Sequence, residues 1–195
     1  MRKSIIAILM TFCLSIMTYA QTPRDRATEL KEQAQSSLNQ KDYIKARYLF
    51  KKAYEAFATR ENYPQAIECG VQANALYVRE NFYKEGFELC RDMDQLIWAG
   101  EQNQKKVFYD LRFLVNKERL QMYTALKNPA QAKTQLNKLE ETANLAKNDS
   151  LTEVLLYTKA NYYYTFNQNT QGDACFRKLI NQYKEVCKKI KMYNS

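Results

Sequence analysis

Histidine is absent from the 195 residues of this chain. Its absence excludes Ser-His-Asp and Cys-His catalysis and the usual histidine-containing zinc sites. Glycine is scarce, and its four residues are too scattered to form a loop that cradles phosphate. The carboxylate pairs Asp92 with Asp94 and Glu140 with Glu141 are too close in sequence to converge on a substrate from one helix. We therefore expect no enzyme activity, no cofactor and no metal site.

Long apolar runs are also absent, apart from one at the amino terminus. That run, Ile5–Ile16, follows Arg2 and Lys3, and a small-x-small pattern ends at Ala20. This arrangement is typical of a cleaved signal peptide, so we predict that residues 1–20 are removed and that the mature protein is periplasmic or secreted. An uncleaved anchor is the alternative, but the run is shorter than the roughly 20 apolar residues that span a bilayer.

The formal net charge is +9, and cleavage would lower it to +7 by removing two basic residues and no acid. A basic surplus can indicate nucleic-acid binding. Here the basic residues are spread along the chain, and export would separate the protein from cytoplasmic DNA. We therefore expect no nucleic-acid partner and interpret residues 21–195 as one domain.

Four cysteines follow the predicted cleavage site. Cys175 and Cys187 are twelve residues apart on one predicted helix, a rise of about 18 Å, so they cannot form a disulfide there. Cys69 and Cys90 lie on the two arms of one predicted hairpin. They are either bridged or, like most free cysteines, small buried packing residues.

Apolar residues recur at spacings of three and four almost everywhere, which predicts an all-α protein. Pro64 and Pro129 suit the first turn of a helix, and Ser150 with Glu153 has the spacing of a capping box. The predicted helices cover 24–39, 43–60, 63–80, 83–99, 103–127, 129–147, 150–167 and 170–190.

One side-chain pattern occurs four times: a small residue, a bulky apolar or Cys residue four positions later, and an apolar residue three further on. The copies are Ala46, Phe50 and Ala53; Gly86, Cys90 and Met93; Ala132, Leu136 and Leu139; and Gly172, Phe176 and Leu179. Their first members are 40, 46 and 40 residues apart. A period in this range predicts about four stacked antiparallel helical hairpins, with the small residues allowing close helix packing.

The first unit resembles a tetratricopeptide repeat in its residues Leu30, Ala34, Lys41, Asp42, Tyr43, Ala46, Phe50 and Ala53. Later units keep parts of the motif, namely Tyr83, Gly86 and Met93, then Ala132 and Leu139, then Gly172 and Phe176. The period exceeds the 34 residues typical of that family. The resemblance implies a right-handed α-solenoid that binds proteins or peptides. Generic helical hairpins are the alternative.

In tetratricopeptide proteins the first helix of each unit lines a concave groove. By this resemblance the groove residues would be Lys31, Gln35, Asn39, Arg79, Lys117, Gln121, Tyr157, Asn161 and Tyr164. They are mostly polar or basic, which would suit an acidic or extended peptide. The alternative is that they are simply solvated. The family's clamp for a carboxyl terminus is not apparent in the sequence.

The last predicted helix is a second candidate contact surface. Lys184, Lys188 and Lys191 share one of its faces, and its other side carries more apolar residues than a terminal helix needs. Peripheral membrane binding and self-association through this helix are two hypotheses. The alternative is that the helix is simply solvated. Among the consecutive residues Tyr162–Tyr164, at least one ring must be exposed and could contact a partner.

Two functional hypotheses follow. The first is an exported, non-catalytic scaffold that binds a protein or peptide. The second is the periplasmic input region, or a truncated relative, of a two-component-type signalling protein. This chain resembles exported tetratricopeptide-like proteins of the Bacteroidetes, and such proteins resemble the periplasmic input regions of sensor kinases. Asp149-Ser150-Leu151 also resembles the short O-glycosylation signal of such proteins, whereas a helix cap would explain Ser150 equally.

Overall fold

The structure, a computed structural model, describes residues 25–193, with side chains described to residue 185. The predicted signal peptide and its cleavage site after Ala20 lie outside the described residues. The described helices are α1 Arg26–Asn39, α2 Tyr43–Ala58, α3 Tyr63–Arg79, α4 Tyr83–Gln104, α5 Tyr109–Ala125, α6 Pro129–Ala146, α7 Asp149–Thr165 and α8 Asn169–Tyr193.

Neighbouring helices pair as α1 with α2, α3 with α4, α5 with α6, and α7 with α8. The first helices of successive pairs also touch, α3 against α5 and α5 against α7. The predicted all-α fold of four helical hairpins is therefore confirmed. None of the helices between residues 25 and 193 is both long and apolar enough to cross a bilayer.

The repeated side-chain pattern lies at the seams between helices. All members of its first three copies are buried, and so are Gly172 and its neighbour Cys175, whereas Phe176 and Leu179 are half-buried. A Cβ atom added at Gly172 would lie 2.9 Å from the Tyr164 ring, and one added at Gly86 would lie 2.8 Å from Met122 Sδ. The glycines therefore let a second helix approach its neighbours more closely than any larger residue would.

Each of the seven turns between the described helices contains one residue in the left-handed region, with φ between 50° and 64°, and none of these residues is glycine. They are Lys41, Glu61, Asn81, Lys105, Lys127, Lys147 and Asn167. The turns inside the four hairpins recur at 40, 46 and 40 residues, the spacing of the side-chain pattern. Backbone and side-chain periodicities therefore coincide.

Lys127→Gly is expected to raise the free energy of unfolding by about 1 kcal/mol, because a left-handed conformation is costly for a residue with a Cβ atom. Lys133→Gly is the matched control. It places the same substitution at an exposed position inside α6, where it should destabilise by about 1 kcal/mol. Urea denaturation measures both, and equal effects of the two variants would contradict the expectation.

The boundary between α4 and α5 was predicted wrongly. The fourth helix continues to Gln104, and the fifth begins only at Tyr109. The cause is Glu101, a buried residue whose Oε1 accepts hydrogen bonds from Phe108 N at 2.8 Å and Arg112 Nε at 2.7 Å. Phe108 supplies no side-chain cap for α5, so Glu101 fulfils that role from the end of the preceding helix.

Arg112 and the Phe108 amide hold the pKa of Glu101 below its usual value. A carboxyl group with a lowered folded-state pKa stabilises the protein above its unfolded-state pKa of about 4.3, and this contribution is lost as pH falls through the folded-state pKa. We expect Glu101→Gln to cost about 1 kcal/mol at pH 7, since Arg112 is half-exposed and its charge is screened. Thermal melting at pH 7 and pH 3 should show this difference shrinking in acid, and a constant difference would contradict the assignment.

The predicted capping box at Ser150 is also wrong. The residue that caps α7 is Asn148, whose Oδ1 accepts a hydrogen bond from Ser150 N at 3.0 Å. Ser150 is exposed within the first turn, and Glu153 accepts a hydrogen bond from Tyr183 Oη at 3.1 Å instead of reaching back to a cap. An asparagine two residues earlier satisfies the free amide, so the serine is not needed for it.

Helix α5 separates two clusters of buried apolar side chains. Its Val115 and Met122 pack into the cluster formed with α1 to α4, and its Phe113 and Leu120 pack into the one formed with α6 and α7. A buried polar group, Glu118, lies on the same helix. Because opposite faces of α5 are both covered, this helix holds the two halves of the protein together.

Cys69, Cys90 and Cys175 are free and buried, so the alternative of a Cys69 to Cys90 bridge does not apply to this structure. Burial raises the pKa of Cys69 to about 11 and that of Cys90 to about 12. Both thiols are therefore protonated at neutral pH and serve as small packing residues. The side chain of Cys187 lies outside the described residues.

Candidate functional site

A cleft of about 370 Å³ lies between α5 and α7, the first helices of two successive hairpins. Four of the predicted groove residues line it, Lys117 and Gln121 from α5 and Tyr157 and Asn161 from α7. These residues are up to 44 positions apart in sequence, and the contact between α5 and α7 brings them together. We call this feature the α5–α7 cleft.

The α5–α7 cleft has a buried floor and exposed walls. Leu120 and Tyr162, both buried, form its floor, while Gln121 and Asn161 are exposed on opposite sides. The floor residues belong to the apolar cluster between α5, α6 and α7, so the bottom of the cleft is fixed by core packing. A preformed floor of this kind lowers the entropic cost of binding.

The residues that line the α5–α7 cleft include two lysines and no carboxylate. Lys127 is exposed in the turn after α5. Lys117 Nζ lies 3.2 Å from Oε1 of Glu118, and Glu118 Oε2 accepts a hydrogen bond from Asn74 Nδ2 at 3.2 Å. The buried glutamate therefore orients Lys117 from below and offsets part of its charge, and the cleft keeps a positive surplus through Lys127.

Hydroxyl and amide groups complete the polar lining. Thr124, Thr158 and Thr165 each donate their hydroxyl hydrogen to a backbone carbonyl one turn earlier, over 2.7, 2.7 and 2.9 Å. Their oxygen lone pairs can still accept hydrogen bonds from a ligand. The exposed amides of Gln121 and Asn161 offer both donors and acceptors, which is the chemistry that an extended peptide backbone requires.

An apolar strip of α7 forms one wall of the α5–α7 cleft. Val154 and Tyr157 are 40% and 54% exposed, and the Tyr157 ring contacts the ring of Phe176 edge-on at 6.2 Å. Val154, Thr158 and Lys127 also line the cleft and were not among the predicted groove residues. The signal that could have identified this strip is helical spacing. Tyr157 and Thr158 are each three or four residues from both Val154 and Asn161, so all four side chains lie on one side of α7.

The amino-terminal part of the predicted groove does not join the cleft. Lys31 Nζ is 2.8 Å from both Gln65 Oε1 and Glu68 Oε2, so this side chain connects α1 to α3. Gln35 Nε2 donates a hydrogen bond to Asn39 Oδ1 at 3.1 Å on the exposed surface of α1.

Arg79 is exposed at the end of α3, and its guanidinium lies over the Tyr43 ring of α2 at 3.9 Å. It therefore contacts the second helix of the preceding hairpin and not another groove residue.

Tyr164 also lies elsewhere than predicted. Its ring stacks on Phe176 of α8 at 5.8 Å, and its hydroxyl donates a hydrogen bond to Asp173. This hydrogen bond to the carboxylate raises the pKa of Tyr164. Of the three consecutive tyrosines, Tyr162 is buried and Tyr163 half-buried, and Tyr164 is the exposed one. It belongs to the contact between α7 and α8.

Carboxylates line two further clefts among the described residues. One, of about 490 Å³, lies between α4, α5 and α6 and contains the exposed Trp98 beside Asp94 and Glu141. The other, of about 770 Å³, lies between α7 and α8 and contains Asp149 and Glu153. The α5–α7 cleft differs from them because both of its charged lining residues are lysines and the others are uncharged.

The geometry defines an all-helical protein of stacked hairpins with a basic, partly apolar cleft between two first helices. Comparison of the chain with protein-family models, with curated proteins and with solved structures found no match.

Proposed function

We propose that this protein is an exported, non-catalytic scaffold of the tetratricopeptide type that binds an extended, acidic segment of a protein or peptide in the α5–α7 cleft. The observation that carries the proposal is the lining of that cleft, which combines Lys117 and Lys127 with exposed amides, an exposed apolar strip and no carboxylate. Acidic side chains of the ligand would pair with the lysines, its backbone with Gln121 and Asn161, and one apolar side chain with Tyr157.

The tetratricopeptide assignment rests on the first-unit motif and on the match between turn spacing and side-chain spacing. Export rests on the amino-terminal segment that ends at Ala20. Both are parts of the same proposal, because a periplasmic or secreted binding protein would need the signal peptide but no membrane helix.

Site-specific photocrosslinking tests the cleft directly. A photoreactive amino acid at Gln121 should capture a discrete partner from periplasmic or membrane extracts, and the crosslinked fragment of that partner should be an acidic segment. The double variant Lys117→Glu/Lys127→Glu should reduce capture about tenfold or more, since it converts the basic lining to an acidic one.

Two controls accompany this experiment. Lys51→Glu/Lys133→Glu makes the same change in net charge at exposed positions outside the cleft and should leave capture unchanged. A photoreactive residue at the exposed Gln95 of α4 should capture nothing specific. The same partner crosslinked equally from Gln121 and Gln95, or lost in both double variants, would refute the cleft as the binding site.

A further inference from the structure

The outer surface of α8 differs from the equivalent surfaces of the other three hairpins. The left-handed turn residues Lys41, Asn81, Lys127 and Asn167 set a common register for the second helices α2, α4, α6 and α8. Positions at equal distances from these residues can therefore be compared within this single chain. The first three hairpins therefore serve as internal controls for α8.

Thirteen positions after the turn residue, each of the first three hairpins contacts the first helix of the next one. Tyr54 packs against Gly70 of α3. A Cβ atom added at Gly70 would lie 3.2 Å from the Tyr54 ring.

Asp94 forms an ion pair with Arg119 of α5, and Glu140 forms one with Lys159 of α7 at 2.7 Å. The equivalent residue of α8 is Ile180, which is 51% exposed. Asp94 is also exposed, so the difference is that this position is apolar on α8, whereas in the other hairpins its side chain contacts the next first helix.

The position three residues further on shows the same contrast. Phe57, Ile97 and Ala143 are 4%, 2% and 3% exposed, whereas their equivalent, Tyr183, is 52% exposed. Its hydroxyl is held by Glu153, so the ring has a fixed place against α7. Ile180 and Tyr183 therefore present a preformed apolar surface at a site where the fold elsewhere packs a helix.

Cations flank this apolar surface. Arg177, Ile180 and Lys184 follow one another at helical spacing, so they form a strip along α8 with a positive charge on each side of the isoleucine. Both cationic side chains are exposed. The neighbouring carboxylates of Asp173 and Glu153 accept hydrogen bonds from Tyr164 and Tyr183.

We propose that the α8 end face, formed by Arg177, Ile180, Tyr183 and Lys184, docks an amphipathic helix of a partner protein whose apolar face is flanked by acidic side chains. The helical form of the occupant follows from the three equivalent positions that contact α3, α5 and α7. Its acidic flank follows from the two exposed cations. A second copy of this chain fits less well, because an antiparallel α8 pair would bring these cations against each other.

The test uses the full mature chain and two synthetic helices of about 18 residues, or five turns. Both peptides carry leucine on one face. One has glutamate along the flank and the other lysine at the same positions. Fluorescence anisotropy should show the glutamate peptide binding about tenfold or more tightly than the lysine peptide, and Ile180→Glu should abolish binding of both. Because Ile180 is half-exposed, this variant should keep the circular dichroism spectrum and melting temperature of the parent.

Charge reversal distinguishes docking on α8 from general attraction. Arg177→Glu/Lys184→Glu should bind the lysine peptide in preference to the glutamate peptide, whereas Lys45→Glu/Lys51→Glu, an equal change of charge on the exposed face of α2, should keep the original preference. Equal binding of the two peptides by the parent, or binding that survives Ile180→Glu, would overturn the proposal. So would a dimer of the parent in analytical ultracentrifugation that Ile180→Glu dissociates, because a second copy would then occupy the face.

Discussion

Glu118→Ala is expected to lower the free energy of unfolding by about 3 kcal/mol, because this glutamate is 1% exposed and connects two helices. Its carboxylate accepts a hydrogen bond from Asn74 of α3 and lies 3.2 Å from the ammonium of Lys117. Among the described residues Asn74 Oδ1 has no hydrogen-bond partner, so removal of the carboxylate would leave a fully buried amide without any partner. Urea denaturation followed by circular dichroism measures the loss.

Two control variants separate charge from hydrogen bonding at this site. Glu118→Gln keeps an acceptor for the Asn74 amide and should cost only about 1 kcal/mol. The double variant Asn74→Leu/Glu118→Met replaces both polar partners by apolar groups of similar volume, and we expect it to be much more stable than Glu118→Ala. If the alanine variant proved as stable as the parent, the polar contact between α3 and α5 would have no structural importance.

Phe113→Ala is expected to cost about 3 to 5 kcal/mol, since its ring is completely buried in the cluster between α5, α6 and α7 and its loss would leave a cavity. Native-state hydrogen exchange should show the largest loss of amide protection in α5 to α8, the helices on that side of the protein. Phe82→Ala removes the same ring from a position that is 44% exposed and should cost less than about 1 kcal/mol. An equal loss in the two variants, or uniform loss of protection from α1 to α8, would contradict the description of two clusters.

The two stability predictions also bear on the proposed ligand site. Glu118 lies beneath Lys117, and Leu120 of the same helix forms the floor of the α5–α7 cleft. A change in the packing of α5 therefore alters the cleft as well as the core. Glu118→Gln should remain folded and release Lys117 from its charged partner, so it is a suitable variant for measuring how strongly that lysine contributes to binding.

The hairpins could be predicted from the sequence because their signals are local. The spacing of small and bulky residues around Ala46, Gly86, Ala132 and Gly172 is set by the helical period, and the structure has its turns at the same intervals. Local signals failed where a distant residue fixed a boundary. Glu101 holds the start of α5 from the preceding helix, so the break between these helices could not be found from the residues on either side of it alone.

The groove prediction was limited in the same way. Position along a first helix could indicate that Lys117, Gln121, Tyr157 and Asn161 share one side of the protein, and they line one cleft. The same rule selected Lys31, which is paired with residues 34 and 37 positions later on α3. Whether a groove residue is free or paired depends on the side chain that the next helix brings to it.

The helical hairpins and their spacing follow from local sequence, because helix periodicity, small-residue contacts and turns act between residues that are near in the chain. Which surfaces remain open depends on how the hairpins pack against one another. Glu140 and Ile180 occupy equivalent positions, but one pairs with Lys159 of the following helix and the other is exposed. Exposure is a property of the assembled array, since it depends on what packs against a residue and not on the residue's own place in the repeat.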